Sequence, residues 1–187
     1  MKRARLPLLG LALLAISACT LIDHRCAHLP GGGSYCLVSG TWPEYTTEQT
    51  STVTVNGKTL HMITRIASGP AGLRVAGLSP LGQTLFQIEW SDSLLRAELA
   101  PAVKGRLDPT LLPALLQIAT WPADDVRRGL CAGLELIEST DRRSIRSGQN
   151  DVLILSWTGA RLPYEHMRIE IPAVGLRIDN RALGAEQ

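Results

Sequence analysis

The stretch LSPLGQTLFQIEW, Leu78 to Trp90, decides the fold. It opens on a turn signal, because proline presets φ and glycine accepts the left-handed backbone that tight turns require. Strict alternation follows, with Gly82, Thr84, Phe86, Ile88 and Trp90 on one side and Gln83, Leu85, Gln87 and Glu89 on the other. A period of two marks a strand with one buried face. The whole chain has four Trp, three Tyr and one Phe. A face carrying Phe86, Ile88 and Trp90 in succession therefore either fills the core or lines a place for an apolar ligand.

The same alternation extends outward from this stretch. Thr52 to Asn56 places Val53 and Val55 on one face, and Asn56-Gly57 is a hairpin turn signal leading into Leu60 to Ile66. Leu73 to Leu78 and Thr84 to Trp90 pair across the opening turn, and Leu94 to Leu99 alternates again. From Asp108 to Cys131 the period changes: Leu111, Leu112, Leu115, Leu116 and Ala119 recur at helical spacing. Asp108 is placed to cap this helix, with Pro109 at its first position and Pro113 in its first turn. Trp121-Pro122 breaks the run, and Asp124 and Asp125 stand where a second short helix favours acids. Strands then resume at Leu134 to Glu138, Ser144 to Ser147, Val152 to Trp157, His166 to Ile171 and Val174 to Ile178. The pattern is one antiparallel meander interrupted once by a helical insert, with no internal repeat.

With 187 residues, 45% hydrophobic and 19% charged, the composition is that of a globular domain and excludes a multispan membrane protein. Residues 1–18 carry Lys2, Arg3 and Arg5, then an apolar run and small residues, the layout of a secretory signal peptide. Leu6 to Ala18 is shorter than the ~20 residues that span a bilayer as a helix. Ile16-Ser17-Ala18-Cys19 resembles the lipobox of bacterial lipoproteins, which implies acylation at Cys19 and removal of everything before it. The formal charge then falls from +2 to −1, and no basic patch argues for nucleic acid. Thr20 is not the Asp associated with inner-membrane retention, so the resemblance implies the periplasmic face of the outer membrane.

Residues 19–48 read as a lipidated N-terminus and flexible tether, and residues 49–187 as a single domain. Within the tether, Cys26 and Cys36 flank a Gly-rich loop; a disulfide between them is the plainer expectation in an oxidising compartment. A zinc site using His24, Cys26, His28 and Cys36 and a pair of free thiols stay open as alternatives. Cys131 reads as a small buried hydrophobe.

The Ser79-Pro80-Leu81-Gly82 turn into Phe86, the block LLQIATWPADDVRRGL and the Arg-rich hairpin before DVLILSW together resemble DUF3261, a family of small bacterial outer-membrane lipoproteins of uncharacterised function. The layout also resembles the LolB/LolA lipoprotein carriers. These resemblances imply a mainly β fold: a curved, half-open antiparallel sheet with short helices as a lid over an apolar cavity. They also imply an occurrence beside aryl-polyene or related fatty-acid-like biosynthesis genes and a possible periplasmic carrier protein as partner. No counterpart of LolB's protruding apolar loop is found.

Phe86, Ile88, Trp90, Leu112, Leu116 and Trp121 are the residues expected to line that cavity. Catalysis is not expected: His61 and His166 lie on the polar faces of their strands, no Gly-x-Ser-x-Gly elbow is present, and neither a cofactor nor a metal is called for. Arg142, Arg143 and Arg146 read as a charged hairpin face. Two functions fit: an envelope lipoprotein that binds an acyl, polyene or lipoprotein lipid, and a non-catalytic scaffold lipoprotein with a filled core.

Overall fold

The computed structural model describes residues 25–91, 94–159 and 162–184. Cys19, His24 and the signal segment lie outside the described residues. A two-stranded hairpin comes first, β1 (Cys26–His28) and β2 (Ser34–Cys36). Five strands follow: β3 (Tyr45–Val55), β4 (Lys58–Gly69), β5 (Gly72–Leu78), β6 (Thr84–Ser91) and β7 (Leu94–Leu99). The insert forms α1 (Leu111–Thr120) and α2 (Ala123–Gly129). Five more strands complete the chain: β8 (Leu134–Glu138), β9 (Arg142–Ser147), β10 (Asn150–Thr158), β11 (His166–Ile171) and β12 (Leu176–Ala182).

β3 to β12 form one ten-stranded sheet in the order β7-β6-β5-β4-β3-β12-β11-β10-β9-β8. Every pairing is antiparallel, and the sheet has two free edges instead of closing into a barrel. Each half is a meander of five strands, and the halves meet where β12 pairs with β3, Leu176 opposite Val55 and Ala182 opposite Gln49. Laid flat, ten strands would span roughly 43 Å, while a ten-residue helix is about 15 Å long. Yet side chains from both halves, Val75 and Ile88 on one and Ile145, Leu155 and Ile169 on the other, join one core with α1. The sheet therefore curves around the helix, the half-open architecture that the resemblance implies.

Three strands differ in extent from the expectation, for physical reasons. β3 and β4 are several residues longer than expected, because the inward positions at the start of β3 are Thr47, Gln49 and Ser51, all buried. Polar residues on the core side erase the hydrophobic alternation that would reveal a strand. The last strand begins at Leu176 instead of Val174, since Pro172–Val174 winds into a 3-10 turn closed by Gly175 in the left-handed conformation (φ 57°).

The tether expected at residues 19–48 is corrected for its described part. Ala27, Leu29, Tyr35, Leu37 and Trp42 are buried in the common core. A disulfide joins Cys26 to Cys36, directly opposed across the hairpin. Gln117 on α1 holds the segment in place: its Oε1 accepts hydrogen bonds from Tyr35 Oη and Val38 N, both at 2.8 Å, and its Nε2 donates to Val38 O. Trp42 meets Trp121 edge to face at 5.3 Å. The apolar residues here are spaced irregularly, which is why they read as linker.

The helices are also more than a lid. Every residue of α1 from Pro113 to Ala119 is buried, so the helix is enclosed on all sides. Asp108 does not cap it directly; its Oδ1 accepts from Thr110 N, one step before the helix. The C-terminal end is closed by Arg143, whose Nη1 donates to the carbonyls of Ile118 and Trp121 at 2.7 Å each. Those are carbonyls a helix end leaves without an intrahelical partner. Among the described residues no helix is long and apolar enough to cross a membrane.

Candidate functional site

Strand parity sorts the side chains of the sheet onto two faces. The convex face is polar and laced with cross-strand ion pairs, among them Arg65–Glu48, Arg74–Glu89, Arg177–Glu170 and Arg168–Asp179. His61 and His166 both lie there. His61 is exposed beside Thr52 Oγ1, and His166 stands 3.4 Å from Asp179. Asp179 is held below the usual carboxylate range: its partial burial works in the opposite direction, but the hydrogen bond and charge of Arg168, with help from His166, prevail. Two histidines on separate strands share no nucleophile. A depression of about 400 Å³ also opens on this face, where Ala67 and Ala76 are short between Arg65 and Arg74. Its lining mixes the apolar Ile66, Val75 and the two alanines with the Arg65–Glu48 pair and Arg74.

The concave face is where Phe86, Ile88, Trp90, Leu116 and Trp121 meet, and they meet as packed core. Each is at most 6% exposed, and Leu112 packs against them partly buried. Within the common core these side chains are packed among one another with no open cavity between them. The cavity expected at these residues is filled. Gly77 shows how tightly: a Cβ there would lie 2.2 Å from the Phe86 ring, so the ring rests on the bare backbone of the neighbouring strand.

Farther along the same face the cover ends. β5 reaches only to Leu78, opposite Ile63, so Lys58–Met62 of β4 pair with β3 alone. There Val53 lies opposite both Leu60 and Ile178, and Val55 opposite Leu176. Leu60 is 42% exposed and Val55 37%, while Val53, Met62, Leu176 and Ile178 are half-buried. These six residues form an apolar, solvent-accessible strip across β12, β3 and β4. Strand alternation in the sequence puts Val53 and Val55 on one face, but does not show where along that face the cover ends.

Toward the core the strip gives way to a polar row: Ser51 (3% exposed), Gln49 (4%) and Asn180 (8%), with Thr64 beside them. Ser51 and Thr64 share a hydrogen bond at 2.7 Å. The Oε1 of Gln49 is buried with no hydrogen-bond partner.

Of the other expected residues, Cys26 and Cys36 are bonded to each other and offer no thiolate, and among the described residues no cluster of His, Cys, Asp and Glu could hold a metal. Cys131 is a half-buried free thiol whose Sγ lies 2.9 Å from Ser34 Oγ. The Arg-rich hairpin is split. Arg142 and Arg146 face outward to Asp151, whereas Arg143 turns inward to Glu138 and α1.

A half-open antiparallel sheet wrapped on a helical insert, with an apolar strip left open on its concave side, defines the class of protein. The chain belongs to the DUF3261 family, proteins of unknown function, whose pattern matches residues 46–179. Among curated proteins none matches the sequence. Among solved structures it is similar to a DUF1329 family protein from Desulfovibrio piger, with 12% identity over 74% of this chain and 83% of that one and a TM-score of 0.42.

Proposed function

We propose that the chain is a lipid-anchored protein at the periplasmic face of the bacterial outer membrane that binds the apolar part of an acyl, polyene or lipoprotein-lipid ligand and moves or presents it without catalysing a reaction. The observation that carries this reading is the open strip Val53, Val55, Leu60, Met62, Leu176 and Ile178. Apolar concave surface of this kind is where hydrophobic ligands seat. Anchoring through Cys19 rests on the lipobox-like Ile16-Ser17-Ala18-Cys19 and would hold the strip within reach of membrane lipid.

The test is displacement of a polarity-sensitive acyl probe from the purified chain. Leu60→Glu or Met62→Glu abolishes saturable binding, while Thr50→Glu on the convex face leaves it unchanged. Equal binding in all three would sink the proposal. The filled contact among Phe86, Ile88, Trp90, Leu116 and Trp121 favours the second reading, a scaffold whose strip covers a protein partner. In that case the strip variants lose a co-purifying envelope protein and no probe binds to the wild type.

A further inference from the structure

We infer that the ligand of the concave strip is an apolar chain ending in a neutral hydrogen-bond donor, a hydroxyl or an amide N–H, and that Gln49 receives that donor. This deepens the reading of the strip as a lipid site and rests on it.

Gln49 points inward from β3, opposite Thr64 on β4 and Ala182 on β12, one inward position from Ser51 and two from Val53. It is 4% exposed, yet its Oε1 accepts no hydrogen bond. Buried polar atoms are satisfied in the great majority of cases, and leaving one empty costs about 1–3 kcal/mol. Ser51 and Thr64 bond to each other, and neither hydroxyl lies in hydrogen-bonding geometry to Gln49 Oε1. Gln49 therefore carries an unmet buried acceptor in the polar row that lies behind the open apolar strip.

Charge decides which group. On the inward positions of β12, β3 and β4 between Ala182 or Gln49 and Leu60 there is no acid and no base. A carboxylate or phosphate brought to Gln49 would meet an acceptor oxygen and no counter-charge from these strands, which is strongly unfavourable in a buried place. A hydroxyl or amide N–H meets a partner. The first cation on that side is Lys58, at the outer end of the strip. From residue 49 to residue 55 the strand runs roughly 20 Å, enough for a long chain lying along it. Gln49 Oε1 has no hydrogen bond to give up when its amide swings toward Val53 to meet the ligand.

The test uses the full chain in its membrane, with photoreactive 1-dodecanol and its methyl ether, which have the same chain but only one donor. In the wild type the alcohol labels the peptides carrying Val53 and Leu60 about tenfold more than the ether does. Gln49→Met brings the two yields together and melts at or above the wild-type temperature, since it removes an unpaired buried amide. Equal labelling by both probes in the wild type overturns the inference. So does a preference that survives Gln49→Met, or a variant that melts well below wild type, which would make Gln49 a structural residue. If neither probe labels the concave strands above the convex ones, the lipid-site reading falls as well.

Discussion

The phenol of Tyr35 donates a 2.8 Å hydrogen bond to Oε1 of Gln117, joining the N-terminal hairpin to the central helix across 82 residues of sequence. Gln117 is fully buried, and its amide also takes both backbone groups of Val38. The two ends of this contact are not equivalent. Tyr35→Phe removes one donor and leaves Gln117 satisfied by Val38, so it costs about 1 kcal/mol. Gln117→Leu strands the Tyr35 hydroxyl and both Val38 groups together, and costs about 3 kcal/mol. Urea unfolding of the two variants measures the difference; equal losses would mean that the hairpin is not held by Gln117.

Arg143 carries a similar load at the other end of the helix. Its Nε donates to Glu138 Oε1 at 2.7 Å while Nη1 closes the C-terminal carbonyls of α1, and the guanidinium lies 5.9 Å from the centre of the Trp157 ring. Arg143→Met leaves the carbonyls of Ile118 and Trp121 without their donor, a loss of about 3 kcal/mol. Adding Glu138→Gln costs little further, because the ion pair it belonged to is already broken. A double-mutant cycle that shows no coupling between 138 and 143 would refute the assignment.

How far the fold could be read from the chain follows from where its signals lie. Phe86, Ile88 and Trp90 alternate with polar residues, and their strand was visible at once; Thr47, Gln49 and Ser51 put polar side chains inward, and β3 was half hidden. The helical break at Trp121-Pro122 is local chemistry, and α1 and α2 fall on either side of it. Residues 26–45 fold through contacts with Gln117 and Trp121, some 80 positions away, and carry no periodicity of their own. The open strip was equally illegible, since it depends on β5 ending opposite Ile63 and not on any motif. Alternation shows which residues share a face, but not which part of that face a neighbour covers.

Gly77 tests the packing that fills the expected cavity. Its missing Cβ is the space that Phe86 occupies. Gly77→Val forces the ring off its seat and costs roughly 1–3 kcal/mol, as overpacking of a tight core does. Chemical denaturation gives the loss. A variant as stable as wild type would show that the core beside Phe86 has slack, and with it room for a ligand.

All three tyrosines of the chain sit in environments that favour the neutral phenol. Burial raises Tyr35, Tyr45 and Tyr164 above the usual value of 10.0, with Asp125 adding to the effect at Tyr35 and Tyr164 adding to it at Tyr45. Arg143 opposes the rise at both Tyr35 and Tyr164 without cancelling it. Both of these phenols also donate hydrogen bonds, Tyr35 to Gln117 and Tyr164 to the carbonyl of Ala119, which only the protonated form can do. A group whose acid form is favoured in the folded state contributes stability that is complete below its unfolded pKa and is lost as pH rises through the folded one. Stability should therefore be insensitive to these groups up to about pH 10 and fall above it. In an alkaline titration followed in the tyrosinate ultraviolet band, the three rings stay silent through pH 10 and then ionise together as the circular dichroism of the sheet is lost. A ring that titrates near 10 while the sheet is intact would place that tyrosine at an accessible surface, and would contradict its burial.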